Sequence, residues 1–185
     1  MINLIKGINI NVKNSNKFVY LVLGLLLVAV TVLVYMNRGD AELRRALEEN
    51  REFQIRINGE HKATVGLQTL LDLNPQEFTT SFATSITAAR DTTLRGVELH
   101  QLLEALEIDA TSASHIVVSG LDGYHSPLTQ AEIAQDELVY ICFEMDKNLL
   151  KPQSEGGLGP FLMVVRNSRF AQRWCKYVEA VDLVY

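Results

Sequence analysis

The sequence predicts an α+β domain behind one membrane-spanning helix. Three observations carry that expectation. An uncharged stretch of 19 residues, Phe18–Met36, lies near the N-terminal end. Beyond it, strand-like segments are interspersed with short amphipathic helices in no regular βαβ rhythm, the pattern of a mixed domain. Finally, the run Leu138–Phe143 (LVYICF) shows no polar alternation, as a strand buried on both faces requires.

The 185 residues suffice for one domain of ordinary size with additional segments. Charge is unevenly placed. Three of the 17 basic residues and none of the 22 acidic ones precede Arg38, so the remainder carries 14 against 22, a net of −8. An acidic domain makes a poor general nucleic-acid binder, because phosphate contacts need a basic face.

Four segments follow from this reading: a short cytoplasmic tail over 1–17, a transmembrane anchor over 18–36, a juxtamembrane helix or linker over 37–52, and a folded domain over 53–185. The anchor would span about 28 Å as a helix, close to the hydrocarbon thickness of a bilayer. Tyr20 and Tyr35 stand near its ends, where aromatic rings favour the interface. A cleaved signal peptide would have a shorter apolar core and a small-x-small site after it, and VYMNRGDAEL supplies no such site. Lys6, Lys13 and Lys17 before the span are balanced by Arg38, Arg44 and Arg45 after it. The short acid-free tail nevertheless favours a single-pass membrane protein with its soluble domain outside the cytoplasm.

Within the domain, Leu43, Ala46 and Leu47 recur at helical spacing in an otherwise charged stalk. Phe53–Val65 reads as a hairpin around the turn pair Asn58-Gly59. Leu67, Leu70 and Leu71 mark a brief helix that Asn74-Pro75 ends. Glu77–Thr87 suits a strand followed by a loop, with Arg90 and Arg95 flanking the loop's end before Gly96. Leu99, Leu102, Leu103 and Leu106 give an amphipathic helix. A strand over His115–Ser119 precedes the loop Leu121–Thr129, and Thr129-x-x-Glu132 has the form of a capping box. Phe161–Val165 and Tyr177–Tyr185 are further strands.

Candidate site residues fall in three places. Asp122-Gly123 is a turn pair, after which Tyr124, His125 and Ser126 set a phenol, an imidazole and a hydroxyl side by side. The plainer alternative is a surface turn with incidental polar residues. Arg90 and Arg95 form the second place. The third is Gly156–Val178, which holds Arg166, Arg169, Arg173 and Lys176 without one acid. Such a run would focus a small anion or an anionic organic ligand, and the alternative is a solvated basic surface. His100 and Glu104 share a helix face, but with no further His or Cys at ligand spacing they read as a solvated pair, and no metal site is expected. Gly156-Gly157-Leu158-Gly159-Pro160 lacks the Lys-Ser/Thr ending of a phosphate-binding loop.

The order of these segments resembles a known family. A hairpin is followed by Leu94-Arg95-Gly96-Val97-Glu98-Leu99 leading into Leu102-Leu103. Then come Asp122-Gly123-Tyr124 with Ser126 and Leu128, Tyr140–Leu149 (YICFEMDKNL), Gly157–Val165 and Trp174–Val184. Over residues 53–185 this succession is similar to the molybdopterin-binding domain of the sulfite oxidase family, in its short single-domain form. The resemblance implies a mixed, β-rich α+β fold, a pterin-bound molybdenum, and oxygen-atom-transfer or reductase chemistry. It also implies a metal-ligating Cys on the segment before Arg95-Gly96-Val97. In this chain that segment, Phe78–Arg95, contains no Cys, and Ser or Thr is no ready substitute for a thiolate. Cys142 and Cys175 lie far from it, and read as two buried thiols or as a disulfide pair.

The expectation is therefore an anchored domain that keeps the fold without molybdenum ligation. It would bind a small anion or organic ligand, molybdopterin being the cofactor the resemblance suggests, or serve a membrane redox partner protein as an accessory module. The competing expectation is a molybdopterin-dependent oxidoreductase with atypical metal ligation.

Overall fold

The computed structural model describes residues 12–36, 38–82, 90–166 and 173–185. The chain divides into two compact units, Met1–Leu43 and Arg44–Tyr185. In the first, α1 (Val12–Met36) carries the uncharged stretch, and its apolar side chains from Val19 onward are exposed. This helix is long and apolar enough to cross a membrane, a property that a signal sequence shares.

α2 (Arg38–Asn50) runs into the second unit, and its last turns belong to the fold. Leu47 is buried, Arg44 meets Glu179 at 3.4 Å, and a Glu48 carboxylate oxygen accepts the Ser154 N–H at 3.1 Å. From Arg44 onward, the stretch read as a charged stalk thus packs within the second unit. Glu179, itself buried, is held from its other side by Arg56 at 3.4 Å.

The domain contains two five-stranded sheets. The first is built from β1 (Glu52–Ile57), β2 (Glu60–Gly66), β5 (His115–Gly120), β6 (His125–Leu128) and β10 (Val178–Val184), in the order β2-β1-β10-β5-β6. β1 and β2 form the expected hairpin. Asn58 and Gly59 both take positive φ, +51° and +81°, as a tight two-residue turn between twisted strands demands. β1 also pairs in parallel with β10, Gln54 facing Ala180, which joins the two ends of the domain.

The second sheet holds β3 (Gln76–Phe82), β4 (Arg90–Glu98), β7 (Val139–Met145), β8 (Asn148–Leu149) and β9 (Leu162–Val165). Between the strands lie α3 (Leu67–Asp72), α4 (Leu99–Ala105) and α5 (Gln130–Ala134). Thr129 caps α5 in a reciprocal box with Glu132, as the sequence predicts. The cap contributes about 1 kcal/mol to so short a helix.

The central strand β7 explains its own composition. Val139, Ile141 and Phe143 enter a large core shared with Phe53, Ile55, Leu102, Val118 and Val181. Tyr140 and Cys142 enter a second core on the other face, with Phe78, Phe82, Leu94, Leu162 and Trp174. Each face is covered, so no polar alternation survives.

Two sequence expectations need correction. Arg95 does not stand at a loop's end but lies inside β4, a nine-residue strand that begins at Arg90. Its alternation is real although polar, for Thr92 and Leu94 point inward while Thr93 and Arg95 lie on the half-exposed face. Likewise His125 and Ser126 are strand residues, not loop residues, because β6 returns along β5 with Ser119 opposite His125.

Candidate functional site

Six of the sequence-predicted residues meet at one corner, where the β5–β6 hairpin lies against residues 173–177. The turn is set by Asp122, whose Oδ1 accepts the Tyr124 N–H at 3.0 Å, and by Gly123 at φ +81°. Gly120 precedes it in a confined place. A Cβ there would stand 2.5 Å from the Lys176 carbonyl oxygen and 2.7 Å from Asp122 Oδ1. The Leu121 N–H donates to the Tyr177 carbonyl at 2.9 Å, and the buried Ser126 hydroxyl donates to the Arg173 carbonyl at 2.9 Å. His125 faces Ser119 across the hairpin, Nδ1 to Oγ at 2.9 Å. The aromatic ring of Tyr124 reaches solvent.

Arg173 fixes the corner to α5. Its guanidinium donates to both carboxylate oxygens of Glu132 and, through Nη2 at 3.1 Å, to the Pro127 carbonyl. That forked contact holds the Glu132 carboxyl at about 2, well below its ordinary value, and raises the Arg173 guanidinium in return.

The remaining arginines are placed apart from this corner, along the second sheet. Arg166 pairs with Glu137 at 3.1 Å and lies over the Phe78 ring, 4.8 Å from its centroid. Arg95 pairs with Glu144 at 3.5 Å, and Arg90 with Asp146 at 3.7 Å. Arg169 lies outside the described residues. The acid-free run of the sequence is therefore not acid-free in space: Arg166 and Arg173 are each offset by a carboxylate from before the run.

Neither cysteine is placed as a ligand. Both are free and buried, Cys142 in the second core and Cys175 in the first. Burial raises both thiols, Cys175 to about 12 with help from the Asp122 carboxylate, so they stay protonated at neutral pH. These residues do not fit the family's soft, anionic metal ligand.

The sequence did not signal a groove between α4 and α5. Its volume is about 460 Å³, within the usual range of ligand sites. Leu103, Ile108 and Ile133 floor it, and His100, Glu104 and Gln130 stand among its polar lining. Beside it, His100 meets Glu98 and Asp136. Residue 136 is too far along the chain for any spacing rule to have joined it to His100.

The two sheets, the order of their strands and the helices between them define a sulfite oxidase-like α+β domain. Residues 42–184 match the model of the oxidoreductase molybdopterin binding domain, and the chain belongs to that family. Among solved structures it is similar to the sulfane dehydrogenase SoxCD from Paracoccus pantotrophus. The two share 14% identity with a TM-score of 0.58, over 72% of this chain and 38% of that one, a likeness of fold. No curated protein matches the chain.

Proposed function

We propose that this protein is a membrane-anchored sulfite oxidase-fold domain that has lost molybdenum ligation. It acts as a ligand-binding or accessory module of a membrane redox complex. The observation that carries this reading is the state of its thiols. The segment Phe78–Arg95 holds no Cys, and the chain's two cysteines are both buried in apolar cores. A fold that keeps its sheets while offering no thiolate suits binding better than redox chemistry at a metal.

The anchor is α1, with the domain facing away from the cytoplasm, in keeping with the acid-free, Lys-bearing tail. The candidate ligand surface is the corner of Asp122, Tyr124, His125, Ser126, Arg173 and Lys176. Its ligand is a small anion or an anionic organic molecule such as a pterin phosphate. The arginines Arg90, Arg95 and Arg166 extend the candidate set along the second sheet, and Arg169, outside the described residues, joins it by sequence alone. Partner residues that displace Glu132 or Glu137 would release guanidinium groups for an incoming anion.

Metal and pterin analysis of the full chain, purified from a host that makes the cofactor, tests the proposal. Molybdenum should fall far below one atom per chain whether or not pterin is found. About one molybdenum per chain, lost on Cys175→Ser, would overturn it in favour of an oxidoreductase with atypical ligation.

A further inference from the structure

We propose that Glu98, His100 and Asp136 form a binding site for a divalent transition-metal ion of the zinc class. The site is separate from the corner above and independent of the function proposed there.

It arises where β4 hands over to α4. Glu98 ends the strand with extended backbone, φ −63° and ψ 135°, and His100 lies in the first turn of the helix. The change of direction turns the two side chains towards each other, with Glu98 Oε2 3.4 Å from His100 Nδ1. Two ligands bound to one tetrahedral ion at about 2.0–2.1 Å stand about 3.4 Å apart, so this pair already forms one edge of such a site. Asp136, on the turn after α5, has Oδ1 4.0 Å from the ring's other nitrogen, Nε2, and has to swing to reach an ion held on Nδ1. One ligand atom from each residue lies within 4.8 Å of the others. Asp136 is the adjustable member, because its side chain is 91% exposed and swings inward at little cost.

The environment of Glu98 points the same way. Its side chain is 4% exposed, yet its only ion-pair partner among the described residues is the imidazole of His100. A buried carboxylate needs a countercharge, and among the described residues no Lys or Arg pairs with it. Neutral donors orient it as an outer shell orients a metal ligand. The Glu137 N–H donates to Oε2 at 2.7 Å, and the Gln101 amide donates to Oε1 at 3.5 Å. One imidazole nitrogen and two carboxylate oxygens suit zinc, and they leave a fourth position for water or another ligand. His100 also lines the α4–α5 groove, so that open position neighbours a partly apolar cavity of about 460 Å³. Glu104 lines the groove but is no member of the trio.

The test uses the full chain in detergent, untagged and stripped with a chelator. Zinc is titrated by calorimetry, and cobalt by the intense visible bands of a tetrahedral site. One ion per chain is expected. His100→Gln and Asp136→Asn should each weaken binding by about tenfold or more, with the cobalt bands lost, while Glu104→Gln binds as the wild type does. Glu98→Gln is informative only where it folds, whereas Asp136→Asn changes an exposed turn and keeps the test decisive. Zinc binding that is absent, or that survives both His100→Gln and Asp136→Asn, would overturn the proposal and leave Glu98 and His100 as an ion pair.

Discussion

The β5–β6 corner and the β4–α4 junction carry the same kinds of side chain under opposite conditions. At the corner, Asp122, Ser126 and Arg173 bind backbone groups or Glu132, and their hydrogen bonds hold the hairpin to residues 173–177. At the junction, Glu98 is buried against an imidazole, with an exposed carboxylate and an open groove alongside. The corner reads as a site in the sequence because its polar residues are consecutive. The junction is silent there because its residues are brought together only by a strand–helix bend and a distant turn. What separates the two is the neighbourhood of the satisfied groups, backbone and Glu132 at the corner but an exposed carboxylate and an open groove at the junction, which adjacency in sequence does not report.

The largest expected effect is at Gly120. Gly120→Ala places a methyl group 2.5 Å from the Lys176 carbonyl, a backbone atom that cannot swing aside. The hairpin and the segment beneath it must separate, and we expect a loss of about 3 kcal/mol in denaturant unfolding of the domain. A near-neutral Gly120→Ala would mean that the corner yields easily and is not the rigid seam described above.

Gly123→Ala should cost less, about 1 kcal/mol. The position has φ +81°, but a Cβ there meets nothing within 4 Å, so the penalty is conformational and not steric. Equal losses at Gly120 and Gly123 would show that the turn itself, and not its seating on Lys176, limits the hairpin.

Much of the fold was legible because local chemistry and final structure agree. Asn58-Gly59 fixed the first hairpin, Thr129 and Glu132 the start of α5, and the unbroken run through Ile141 the doubly buried strand. β4 was obscured by the charges of Arg90, Asp91 and Arg95, which sit on its exposed or half-exposed positions. The parallel pairing of β1 with β10 has no local signal, since it depends on closing the whole domain. The meeting of Glu98 and His100 with Asp136, and the groove beside them, had no local signal for the same reason. The basic run misled in a different way: the sequence shows that Arg166 and Arg173 have no acid within it, but not that Glu137 and Glu132 reach them from elsewhere.

The smallest expected effect is the electrostatic one at the corner's edge. Glu132 holds two roles, as the third residue of the capping box and as the partner of Arg173. Glu132→Gln separates them, because an amide oxygen still accepts the Thr129 N–H while the charge is gone. Both side chains are partly exposed, 23% for Glu132 and 40% for Arg173, so solvent screens the pair and the loss at neutral pH should stay below about 1 kcal/mol. Its pH dependence identifies it. The folded carboxyl titrates near 2 against an ordinary 4.5, so the pair's contribution is complete above pH 4.5 and declines as the pH falls towards 2. Melting curves of wild type and Glu132→Gln should therefore converge on acidification through that window. A gap that stays constant from neutral pH down through it would assign the effect to shape and not to charge, and the Arg173 fork would then be a positional contact like the others at the corner.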